Sequence, residues 1–241
     1  MKSNVVTILS MVAGFVLVKF LGVYGIGVVV LSMPLFAWAL IYTSNRYTFR
    51  SSLTIDPIPA TGYENRIKFL NTNEEHCFHI GFRKVDEFYL KISHDVVVYV
   101  YEHEQFPVLM ADYDMQVVKM CDLVTRFDNG YSLTSSNGKN GGAFPRPEEH
   151  LLQAFPAMPL DRLLEQHLES VSFLTQRQFH VSEEQGGDFR GRFLEQFLEA
   201  GKKTSSPLSP IKLVYWMASN YKERHAKPIR DQVLAKTVRL P

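Results

Sequence analysis

Between Val5 and Thr43 the chain runs 39 residues with a single charge, Lys19, and four glycines, Gly14, Gly22, Gly25 and Gly27. A bilayer core is about 30 Å thick and a helix rises about 1.5 Å per residue, so one crossing takes roughly 20 apolar residues. The run is long enough for two short crossings. It predicts a transmembrane helical hairpin over residues 1–50, a linker over 51–62 and one α+β domain over 63–241. Lys19 closes the first crossing, and Gly22 to Gly27 supply the reversal, with Tyr24 at headgroup level. Pro34 kinks the second crossing, and Trp38, Tyr42, Arg46, Tyr47 and Arg50 mark its exit to the interface. A cleaved signal peptide fits less well, because Lys19 interrupts the first run and a longer one follows.

Charge follows the same division. Residues 1–50 carry Lys2, Lys19, Arg46 and Arg50 and no acid, whereas the remainder is slightly acidic. Basic residues near the ends of a crossing stay cytoplasmic, so an integral membrane protein with its domain on the cytoplasmic side is expected. The expected partners are the lipid bilayer, a second copy through the hairpin, or a protein that docks on the domain. Nucleic acid is excluded as a partner by the lack of a basic surplus. Cys77 and Cys121 lie 44 residues apart without CxxC spacing, which predicts buried free thiols.

After the proline-stiffened stretch Ile55–Gly62, short alternations predict strands at Ile67 and Phe69, at Phe78, Ile80 and Phe82, and at Phe88, Leu90 and Ile92. Val96 to Tyr101 is β-branched or aromatic throughout and reads as a strand covered on both faces. Asp128-Asn129-Gly130 joins two further strands in a hairpin. The period then lengthens. Leu160, Leu163, Leu164, His167, Leu168, Val171 and Leu174 predict a helix, and Asp188 caps a second one ending near Gly201. A third runs from Ser209 to about Arg224, and Pro228 starts a final short turn. The expected fold is α+β, an antiparallel sheet with about three C-terminal helices packed on one side of it.

No motif fixes an activity. Asp112 and Asp114 resemble the paired carboxylates with which glycosyltransferases hold a divalent metal, but the parallel-sheet pattern of a nucleotide-sugar domain is missing. His76, His79, His94 and His103 accompany Glu102 and Glu104 in the strand region, and their spacing requires any metal site to be assembled across strands. The segment Asn137–Gly142 lacks the Ser or Thr and the first glycine of a phosphate loop, and no GxSxG elbow is present. The apolar stripe of the helix at Phe189–Leu198 reads as core packing rather than a bilayer contact. No named family is recognisable in these residues. The expectation is a non-enzymatic, membrane-anchored protein whose domain binds a protein partner or a small ligand without a cofactor. The alternative is a metal-dependent hydrolase or transferase, with Asp112, Asp114 and His103 as catalytic candidates and Asp112, Asp114, His76 and His79 as metal ligands.

Overall fold

The computed structural model describes residues 54–59, 61–91, 95–114, 119–139, 147–204 and 225–241. Seven strands follow one another across a single sheet: β1 (Thr54–Asp56), β2 (Phe82–Lys91), β3 (Asp95–His103), β4 (Leu109–Asp114), β5 (Lys119–Arg126), β6 (Ser132–Ser136) and β7 (His150–Ala154). Four helices accompany them among the described residues: α1 (Glu64–His79), α2 (Leu160–Thr175), α3 (Phe189–Thr204) and α4 (Ile229–Leu234).

β3 lies inside the sheet, and its sequence fits that place. Val96, Val98 and Val100 enter one apolar cluster, and Val97, Tyr99 and Tyr101 enter the other, so both faces of the strand are buried. The β5–β6 hairpin turns on Gly130 at φ +82°, a left-handed conformation that glycine adopts without strain. α2 lays Leu163, Leu164 and Leu174 on the sheet, and α4 joins it there through Ile229.

Three features differ from the expectation of an antiparallel sheet with helices on one side. The sheet is mixed, because β7 pairs with β6 in parallel, from Ser132 opposite His150 to Ser136 opposite Ala154. Helices cover both faces. Phe189 of α3 packs with Phe88, Val98 and Ala111 on the face opposite α1 and α2, and Arg190 clamps Asp86 of β2. Finally, Ile67, Phe69 and Phe78 belong to a helix. α1 turns Arg66, Leu70, Asn73 and Cys77 inward at helical spacing, but two of these four are polar, so no apolar period of 3.6 is visible. Within the stretch read as a linker, Thr54–Asp56 forms the edge strand and pairs with Tyr89–Lys91.

The assignments to a membrane and to its cytoplasmic side are also corrected. No helix among the described residues is long and apolar enough to cross a bilayer. The longest have 16 residues, about 24 Å at 1.5 Å per residue against a core of about 30 Å, and each carries several charged side chains. The hairpin stretch, with Lys19, Tyr24, Trp38, Tyr42, Arg46, Tyr47 and Arg50, and the helix read at Ser209–Arg224 lie outside the described residues.

Candidate functional site

Asp112 and Asp114 alternate with Tyr113 along β4, so both carboxylates face α1, and both are almost wholly shielded, at 6% and 2% exposure. α1 meets each of them with a polar side chain. Arg66 donates from Nε to Asp114 Oδ1 at 3.1 Å and reaches the Asp114 carbonyl with its other end, while Asn73 Nδ2 donates to Asp112 Oδ2 at 3.3 Å. The seam continues outward through Tyr99 Oη donating to Asn71 at 3.1 Å and Lys84 reaching Glu74 at 3.3 Å. Because α1 fully buries only Leu70 and Cys77, this polar seam does much of its docking.

Asp112 sits uneasily in the seam. Burial pushes its carboxyl up to about 6, and the neighbouring Asp114 charge adds to the effect, against the Asn73 hydrogen bond and Lys119. Burial likewise raises the Cys77 thiol to about 12, with Asp112 and Glu74 contributing, and lifts Cys121 well above its ordinary value. Neither cysteine is a nucleophile at neutral pH. The buried Tyr101 hydroxyl has no hydrogen-bond partner among the described residues.

The histidines do not join the carboxylates. His76 and His79 point to solvent from α1, and among the described residues no three His, Cys, Asp or Glu side chains converge to hold a metal ion. His94 lies outside the described residues. His103 is buried at the opposite end of β3 from the acidic rows, where its Nδ1 accepts the backbone N–H groups of Gln105 and Phe106 at 3.1 and 3.2 Å. That places the proton on Nε2, which donates to the Ile80 carbonyl at 3.1 Å. Desolvation lowers its pKa, so the neutral ring staples the β3–β4 turn to the end of α1. Gly81 lies under this ring at φ +89°, where a Cβ would meet it at 3.0 Å. Gly81→Ala is therefore expected to cost about 1–2 kcal/mol in a denaturant titration, from left-handed strain plus displacement of the ring.

A second polar group fills the space between α2 and strands β5 to β7. His167 is fully buried, with Nδ1 2.6 Å from Ser135 Oγ and Nε2 2.9 Å from Thr125 Oγ1. Thr125 gives its own hydrogen to the Pro107 carbonyl, so Nε2 carries the ring proton and Ser135 donates to Nδ1. A serine beside a histidine suggests acyl transfer, but here both are sealed from solvent and desolvation lowers the histidine to about 3. Such a weak base suits structure rather than catalysis. Gln153 extends the network, donating to Ser135 Oγ at 2.6 Å and accepting from Ser170 Oγ and the Ile229 N–H at 2.9 and 3.0 Å.

An open concavity lies elsewhere. A groove of about 690 Å³ runs between the end of α2, the end of α4 and the tail beyond it. Phe179, Val233 and Val238 supply its apolar lining, and Arg177, Lys236 and Arg239 supply its charge. Phe179 is fixed from beneath by edge-on contacts with Phe127 and Tyr131 at 5.4 and 5.3 Å. Arg177 is held over the Phe173 ring while donating to the Phe173 carbonyl at 3.2 Å. Gln178 at φ 66° and Lys236 at φ 55° both line the groove in the left-handed conformation that usually falls to glycine or asparagine after a helix. Each costs about 1 kcal/mol relative to glycine. Sequence reasoning missed these cations because they lie in two segments more than fifty residues apart. The one signal was a basic tail, with Lys236 and Arg239 and no acid after Asp231.

The chain matches no known family model, and no curated protein or solved structure is significantly similar to it.

Proposed function

We propose that this chain is a non-catalytic binding module for a small ligand, taken in the groove between α2, α4 and the tail. The observation that carries the reading is the groove itself, whose volume of about 690 Å³ falls within the roughly 300–1,000 Å³ typical of ligand sites. Its mixed apolar and cationic lining, set on braced side chains, is what a binding site requires. The metal-dependent enzyme reading has less on its side, because Asp112 and Asp114 are covered by α1 and engaged by Asn73 and Arg66.

A fragment screen on the full chain, followed by amide NMR shifts, tests the choice. Shifts are expected at Gln176–Phe179 and Val233–Leu240. Added Mg²⁺ or Mn²⁺ is expected to leave the β4 amides and the melting temperature unchanged. Fragment shifts absent from the groove, together with metal-dependent shifts at Asp112 and Asp114, would reverse the assignment in favour of the enzyme.

A further inference from the structure

Three cations and an apolar floor share the groove, and their arrangement restricts the ligand further. Lys and Arg at helix C-termini ordinarily offset the helix dipole, so the ends of α2 and α4 account for part of this charge. Each end presents roughly half a negative charge, which leaves about two of the three positive charges unmatched. No side-chain carboxylate lines the groove, and among the described residues Arg177, Lys236 and Arg239 make no ion pair. A cationic rim beside the half-buried Val233, Val238 and Leu240 disfavours both a bare inorganic ion, which would leave the floor wet, and a neutral hydrocarbon, which would leave the rim unmatched.

We propose that the groove takes an anionic head carried on an apolar stem, a single-chain carboxylate or phosphate monoester, with the head against Arg177, Lys236 and Arg239 and the stem along Val233, Val238 and Leu240. The proposal rests on the binding reading above and names its ligand class. Arg177 suits a carboxylate or phosphate because its guanidinium is already oriented by Phe173 and retains N–H groups beyond the one spent on the Phe173 carbonyl. Gln176 and Gln178 add uncharged amide donors at the same end.

Isothermal titration of the full chain with four probes tests this: decanoate and decyl phosphate below their micellar concentrations, 1-decanol below its solubility limit, and inorganic phosphate. One site is expected for decanoate or decyl phosphate or both, and the tighter of the two identifies the head. Decanol and inorganic phosphate are each expected to bind at least about tenfold more weakly, the scale of one charge-assisted hydrogen bond. Arg177→Gln and Arg239→Gln are expected to weaken the anionic amphiphile by a similar factor each while leaving decanol unaffected. Because Arg177 also packs on Phe173, Arg239→Gln keeps the test sound if the first variant is perturbed. Equal binding of decanol and decanoate would overturn the anionic head and leave the groove as a site. No heat from any probe, and no amide shift at Gln176–Phe179, would overturn the groove along with it.

Discussion

Replacing Gln153 with leucine is expected to lower the stability of the chain by about 3–5 kcal/mol, and the reason lies in what the amide holds together. Gln153 is fully buried on β7, and its four hydrogen bonds reach Ser135 of β6, Ser170 and the Gln166 carbonyl of α2, and the Ile229 N–H that opens α4. Leucine fills nearly the same volume, so the cavity contribution is small. What remains is a set of stranded partners. The Ser170 hydroxyl and the Ile229 N–H lose their acceptor in a dry interior, at about 1–3 kcal/mol for each unsatisfied group. Equilibrium urea unfolding measures the total, and amide exchange at Ile229 shows whether α4 loosens first. A loss under about 1 kcal/mol would mean that β7 and α4 are joined by something other than this amide.

Asp112→Asn is expected to do the opposite at neutral pH. Burial raises the folded carboxyl from 3.8 to about 6, so the fold favours the protonated form. The stability this group contributes is therefore fully present below about pH 3.8 and lost as pH rises through about 6. A shift of about two units corresponds to roughly 3 kcal/mol. Asparagine keeps the polar shape without the charge, so the variant should gain about 2–3 kcal/mol at pH 7.5 and nothing near pH 4. His167 works in the other direction. Its folded value of about 3 lies below the ordinary 6.5, so its contribution is present above about pH 6.5 and declines as pH falls towards 3. In the wild type the two trends oppose each other between about pH 4 and 6 and flatten the profile. In Asp112→Asn the opposing carboxyl trend is gone, and stability should fall steadily with acid over that range. Urea midpoints from pH 4 to 7.5 measure both chains. A variant less stable than wild type at pH 7.5 would mean that the Asp112 charge has a partner it needs, as a metal ligand would.

Those two residues also mark where sequence reading succeeds and fails. Strands whose two faces are both apolar, such as Val96–Tyr101, and helices with an apolar stripe, such as Leu160–Leu174, are legible because burial writes its period into the residue types. The hairpin at Asp128–Gly130 is legible because the positive φ at its last residue selects Gly130. α1 is not, because the stripe it turns inward contains Arg66 and Asn73, chosen to meet Asp114 and Asp112 rather than to enter an apolar core. The two acids drew attention in the sequence, but their partner is a helix, and only the folded chain brings it over them. The parallel pairing of β7 with β6 is set by the return path of the chain, which a five-residue strand cannot encode. The groove is the least legible feature. Its cations come from separate turns, and each alone looks like an ordinary helix-end charge.

The proposed ligand site is the groove and not the buried acids. Amide hydrogen exchange on the full chain, with and without saturating decanoate or decyl phosphate, tests it most directly. Protection is expected to rise at Gln176–Phe179 and Val233–Leu240, while Leu109–Asp114 exchanges at an unchanged rate. Unchanged exchange around the groove, or protection confined to β4 and α1, would contradict it.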